Sequence, residues 1–103
     1  MAGKIRIRAK AEHGVTEVKA LMRHPMETGL RKDQEGNPIP AEFIKEVTVS
    51  HNGTVVIQTY WGASVSANPF LGMRFSGGAA GDTVTVTWVD NTGATGNGET
   101  KIR

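Results

Sequence analysis

Hydrophobic and polar residues alternate along most of this chain, with the two-residue period of strands that bury one face and wet the other. Ile5, Ile7 and Ala9 interleave with Lys4, Arg6, Arg8 and Lys10, which predicts a first strand near Lys4–Lys10. A second, near Thr16–Arg23, points Val18, Ala20 and Met22 inward. The third runs through Phe43–Ser50 and the fourth through Thr54–Trp61. Between them Asn52-Gly53 is the strongest short-range hairpin signal, because both turn positions must accept positive φ. A fifth strand over about Phe70–Ser76 faces Leu71, Met73 and Phe75 one way, which turns Phe70, Gly72 and Arg74 outward. The sixth, Thr83–Val89, is the cleanest: Val84, Val86 and Trp88 alternate with threonines, which assigns Trp88 to the core. A last weak strand ends near Ile102, after the turn Asp90-Asn91-Thr92-Gly93, and the glycine-rich Gly93–Gly98 stretch reads as a variable tail.

The alternation breaks in two places. From His24 to about Pro40 the chain is polar, and Gly29, Gly36, Pro38 and Pro40 interrupt any regular element. Connections of that length are uncommon in compact domains and are often functional. The second break carries Trp61 to Pro69. About seven short strands with no helical period predict an all-β fold, an immunoglobulin-like antiparallel β-sandwich. The cysteine pair of antibody domains is missing, so the expectation is of architecture only. Residues 1–103 form one domain, since a second core does not fit in this length.

Composition narrows the function classes. The 13 glycines fit a turn-rich fold, and 12 basic against 10 acidic residues give a charge of +2. That near-balance argues against nucleic acid as a partner. There is no cysteine, which excludes disulfides, thiolate metal sites and thiol catalysis. The first ten residues lack the apolar run of a secretory signal, and no stretch is apolar enough for a membrane-spanning helix, so no membrane contact and no export signal are expected.

Candidate chemistry is sparse. His24 and Glu27, completed by His13 or His51, would make a metal site only if they converged, and three histidines at three strand ends do not show convergence. Ser64 and Ser66 lie in a loop without a nucleophile motif. Gly77–Gly81 precedes a strand rather than a helix and lacks the phosphate-loop lysine, so it reads as a turn. No catalytic residue, cofactor or metal is therefore assigned. The Lys4, Arg6, Arg8, Lys10 stripe reads as the solvated face of an edge strand or as a steering surface for an anionic partner. Phe70, beside Tyr60, Trp61 and the Pro69 bend, reads as part of an aromatic anchor cluster, with core packing the plain alternative for Trp61.

A set of motifs in order carries more than any one of them. It comprises Ile5-Arg6-Ile7-Arg8-Ala9-Lys10, then His24-Pro25-Met26-Glu27-Thr28-Gly29 with Arg31 and Asp33. Ile39-Pro40, Phe43-Ile44 and Glu46-Val47 follow, then Trp61-Gly62, Ser64-Val65-Ser66 and Asn68-Pro69-Phe70. Gly81-Asp82 and Trp88-Val89-Asp90-Asn91 close it. In this set the chain resembles the SoxZ family, the cysteine-free subunit of the SoxYZ carrier of bacterial sulfur oxidation. The resemblance implies a non-catalytic subunit that pairs with SoxY, whose C-terminal cysteine arm carries sulfur intermediates from thiosulfate towards sulfate, with transient contacts to other Sox enzymes. It also implies a periplasmic location reached by export together with SoxY. The partner interface is expected at Tyr60, Trp61, Asn68, Pro69 and Phe70 together with His24, Met26, Glu27 and Arg31, and a homodimer is expected when the partner is missing. The alternatives are a stand-alone β-sandwich serving another periplasmic enzyme system, and a metalloenzyme built on His13, His24 and His51.

Overall fold

The structure, a computed structural model, describes residues 3–103, with side chains from Ile5 onward, so the Lys4 side chain of the basic stripe lies outside the described residues. Seven strands follow one another: β1 (Gly3–Glu12), β2 (Val15–Met22), β3 (Ile44–His51), β4 (Thr54–Tyr60), β5 (Phe70–Ser76), β6 (Thr83–Asp90) and β7 (Thr95–Lys101). They form an all-β sandwich. One layer is β1-β2-β5 and the other β4-β3-β6-β7, each built of antiparallel neighbours. The layers share β1, whose first two residues pair in parallel with Gly96 and Asn97 before the strand crosses to β2.

That crossing corrects the edge-strand reading of the basic stripe. β1 is bonded to β7 at its start and to β2 along its length. Near its end Ala11 N donates to Arg103 O at 2.9 Å, and Arg103 N donates to Ala9 O at 2.9 Å. The true edges are β4 and β5. β4 reads Thr-Val-Val-Ile-Gln-Thr-Tyr, has no charge, proline or glycine, and leaves Val55, Ile57 and Tyr60 exposed.

The core follows the alternation. Val18, Ala20 and Met22 of β2 meet Val47 and Val49 of β3 and Val84, Val86 and Trp88 of β6, all but Trp88 with no accessible surface. Leu71, Met73 and Phe75 pack against this cluster from β5. The Gly93–Gly98 stretch runs into β7 and packs closely. Gly96 stands opposite Trp88 in the β6–β7 ladder, and a Cβ there would lie 2.4 Å from the indole. A Cβ at Gly98 would lie 2.8 Å from that of Ile5. No other residue fits at either position without displacing the core.

Turn chemistry sets the registers. Asn52-Gly53 takes φ of 48° and 84°, as the hairpin signal requires. His13-Gly14 makes an equivalent turn between β1 and β2, with φ of 54° and 77°, that the strand pattern alone did not announce. The molecule is elongated, 54 × 20 × 19 Å with a radius of gyration of 15.4 Å, against about 13 Å for a compact chain of this length. The segment between β2 and β3 is largely exposed.

Candidate functional site

The polar stretch after β2 is a hairpin-like arm. It leaves at Glu27, which exchanges backbone hydrogen bonds with Glu42 (2.6 and 3.0 Å). Ile39 N then donates to Arg31 O at 2.9 Å, and Asp33 N to Asn37 O at 2.9 Å. The tip is closed by one side chain: Asp33 Oδ1 accepts from Glu35 N and Asn37 N, both at 2.9 Å, while Gly36 supplies a left-handed φ of 82°. Such side-chain-to-backbone bonds are why aspartate and glycine concentrate in turns. The two legs approach closely at Gly29, where a Cβ would sit 3.2 Å from that of Ala41 and φ is 86°. From Thr28 to Pro40 nearly every residue is exposed, and Leu30 presents 86% of its surface to solvent.

Three clamps hold the arm's root. Asn91, in the β6–β7 turn, accepts from Phe43 N at 2.7 Å and donates its amide to Ala41 O at 3.0 Å. Met26, at a left-handed φ of 49°, turns its sulfur to accept from Ile44 N at 3.3 Å. His24 makes the third. Its Nδ1 accepts from Met26 N at 3.0 Å, which places the ring proton on Nε2, donated to Asp90 Oδ2 at 2.9 Å. The ring stands edge-on to Trp88 with centroids 5.0 Å apart. Asp90 in turn accepts at Oδ1 from Thr92 N, Thr92 Oγ1 and Ala94 N at 2.9, 2.6 and 2.9 Å. Burial pushes the Asp90 carboxyl up, but the hydroxyl of Thr92, His24 and the two backbone donors outweigh it, so the group stays ionised below the usual carboxylate range. Glu42 brings a third potential ligand atom to within 4.8 Å of His24 and Asp90. Both imidazole nitrogens and both Asp90 oxygens are already engaged by protein donors and acceptors, so this is a structural lock rather than a set of open ligands.

The arm and the β4–β5 connection meet. Asn68, at φ 50°, receives His24 N on its Oδ1 at 3.1 Å and returns a bond from its own N to His24 O at 2.9 Å. Met22 N donates to Pro69 O at 2.9 Å, which extends the β2–β5 pairing to the strand ends. Between the two segments lies an open groove of about 510 Å³, lined on one side by Met26, Glu27 and Arg31 and on the other by Ala63–Ala67. Glu27 and Arg31 form a two-point ion pair at 3.0 and 2.5 Å on the arm side. The Arg31 hydrogen bonds hold Glu27 below, and Glu27 holds Arg31 above, their ordinary values.

The structure therefore gathers the predicted interface residues at one end of the sandwich but gives them different roles. His24 (4% exposed), Met26 (5%) and Pro69 are buried. Their burial suits a supporting role, shaping the loops, with Met26 still lining the groove. Glu27, Arg31, Asn68, Tyr60 and Phe70 are accessible, and Trp61 is half-buried against the core, as its plain reading held. The aromatic cluster is split. Among the described residues no ring contact links Tyr60, Trp61 and Phe70; the Phe70 ring leans over Gly72 on the outer face of the β1-β2-β5 layer.

The three histidines do not converge. His13 lies beside Glu12 at the β1–β2 turn, and His51 bonds Asp82 at 2.8 Å before the start of β6. His24 bonds Asp90 at the other end of that strand, about 23 Å along it at strand rise. Among the described residues neither Ser64 nor Ser66 is hydrogen-bonded to a histidine, so the groove holds no nucleophile–base pair. What the site offers is shape, exposed backbone and a two-sided groove, the features of a contact surface.

Asn91 and Asp90 are the residues that sequence reasoning missed. Asp90 carries a legible signal: it continues the inward phase of Val84, Val86 and Trp88, just as His24 and Met26 continue that of Val18, Ala20 and Met22. A family model described as "Sulphur oxidation protein SoxZ" matches residues 5–101. A comparison with curated proteins found no match.

Proposed function

The chain belongs to the SoxZ family of sulfur oxidation proteins, and from that premise we propose that it pairs with SoxY as the cysteine-free, non-catalytic subunit of the SoxYZ carrier. The family match carries this reading, since it covers both strand layers, the arm and the groove. Two properties of the chain agree with it. It has no thiol of its own, and its loop end presents a groove between two braced loops rather than a reactive cluster. A second accessible thiol beside a sulfur-loaded arm would exchange with the cargo and divert it. The absence of one lets SoxY's cysteine be the sole acceptor.

The proposed SoxY contact uses the accessible members of the loop end: Tyr60, Glu27, Arg31, Asn68 and Phe70, with the exposed leg of the arm around Leu30. The same reading puts the pair in the periplasm, this subunit travelling on its partner's export signal. The other Sox enzymes then meet the loaded pair, and this subunit supplies part of the surface they read.

The test is co-expression with SoxY, followed by size determination and intact mass of the complex. A one-to-one heterodimer carrying sulfur adducts on SoxY alone is the expected result. Two chains that remain separate at micromolar concentration would overturn the pairing, and turnover of a sulfur substrate by this chain alone would overturn the non-catalytic role. Phe70→Asp tests the placement. It should weaken the heterodimer about tenfold or more while the isolated chain stays folded.

A further inference from the structure

The outer face of the β1-β2-β5 layer is charged unevenly, and its two ends differ in kind. Register brings Lys10, Glu17 and Arg74 into one row, with Glu12 one step on. There the charges neutralise one another: Arg74 reaches Glu17 at 3.1 Å, and Lys10 reaches Glu12 at 3.8 Å. Toward the loop end the rows are Arg8–Lys19–Gly72 and Arg6–Leu21–Phe70. Lys19 still leans 3.8 Å towards Glu17. Arg6 and Arg8, both exposed, take part in no ion pair among the described residues. Beside them Leu21 is exposed and Phe70 presents 62% of its surface, and together these side chains line a shallow recess.

Two adjacent guanidinium groups without counter-charge repel each other, and an exposed leucine and phenylalanine side by side hold apolar surface in water. A folded protein has no internal reason for both at one spot. Arginine and aromatic side chains are also the residues enriched where interfaces concentrate their binding energy. Arginine's planar fork suits carboxylates, which it binds at two points.

We infer that this uncompensated end, Arg6 and Arg8 with Leu21 and Phe70, docks an acidic protein surface that carries an apolar recess for the Phe70 ring. The inference rests on the pairing proposed above and names the chemistry of the partner's contact surface. Carboxylates opposite Arg6 and Arg8 would speed encounter and fix orientation, while Phe70 and Leu21 would supply the desolvated centre. The arrangement requires the apolar pair and the arginines to act together, since Phe70 and Arg6 flank Leu21 in one row.

The experiment measures heterodimer affinity for the co-expressed pair at low and high salt, with three variants of this chain. Arg6→Glu/Arg8→Glu reverses the uncompensated end. Lys10→Glu/Arg74→Glu makes the same change in net charge at the neutralised end, and Phe70→Ser removes only the apolar anchor. Circular dichroism establishes that each variant is folded, and all the substituted positions are exposed. The inference expects wild-type affinity to fall as salt rises. It also expects Arg6→Glu/Arg8→Glu and Phe70→Ser each to weaken binding about tenfold or more, with the control pair within about threefold. A heterodimer indifferent to salt and to Arg6→Glu/Arg8→Glu overturns the inference and leaves the pairing standing. No heterodimer with the wild-type chain overturns both. Binding of the isolated wild-type chain to phosphatidylglycerol vesicles, abolished in Arg6→Glu/Arg8→Glu with the heterodimer unaffected, assigns the face to a membrane surface and overturns the protein partner.

Discussion

Each end of β6 carries a histidine–aspartate pair, and the two pairs have almost the same length and opposite characters. At the start His51 and Asp82 meet at 2.8 Å with 23% and 30% of their side chains exposed; at the end His24 and Asp90 meet at 2.9 Å with 2% and 0%. The outer pair fastens neighbouring turns. Asp82 also accepts from Ala79 N at 3.1 Å, and the His51 ring lies 5.1 Å from that of Phe75. The inner pair joins three things that would otherwise drift: the arm's root, the β6–β7 turn and the Trp88 layer of the core. Water can replace the first pair's hydrogen bonds but has no access to the second. The same chemistry is thus a trim at one end and a keystone at the other, and the arm and the groove lie at the keystone end.

The largest effect should come from removing one partner of the buried pair. His24→Ala or Asp90→Ala leaves one buried polar atom of its mate without a hydrogen-bond partner, which costs about 1–3 kcal/mol; urea denaturation of the isolated chain would measure it. A loss no larger than that of a surface substitution would erase the distinction between the ends. Acid should act next. Asp90 and Asp82 both sit below their ordinary values, Asp82 chiefly through the His51 hydrogen bond, so each adds stability that is present above the unfolded carboxylate range. That contribution is lost as pH falls through the lower native value. Asp90→Asn should therefore be less stable than wild type at neutral pH, with a gap that narrows below about pH 4. Asp82→Asn should show the same sign with a smaller gap. His51→Ala should be weaker still, a shift in melting temperature well under that of His24→Ala. The smallest effect is reserved for Glu27→Gln. Its partner Arg31 is open to solvent, so stability should hardly move, and whatever change appears should shrink at high salt.

The same two ends show how far the amino-acid pattern reached. Where strands join by tight turns, local chemistry sufficed: Asn52-Gly53 marks its hairpin, and Thr83–Asp90 displays its alternation openly. At the loop end the determinants are non-local. Asn91 clamps Ala41 and Phe43 across about 50 positions of sequence, and the arm is held by isolated bridges that leave no periodic trace. The polar stretch that begins at His24 hides its burial. Its position two residues after Met22, in the inward phase of β2, was the available clue. The tight clearance at Gly96 leaves no trace in the pattern, because flexibility and close approach both select glycine, and only the facing indole distinguishes them.

β4 ends its layer with no further strand alongside among the described residues. Seven uncharged residues leave one row of amide hydrogens and carbonyl oxygens unanswered, and nature commonly blunts such a rim with lysine, proline or a covering loop. A copy released before it finds company is therefore a template for any extended peptide, including its own sibling. For the bench worker, dilution rather than cooling is the safeguard when this polypeptide is handled by itself.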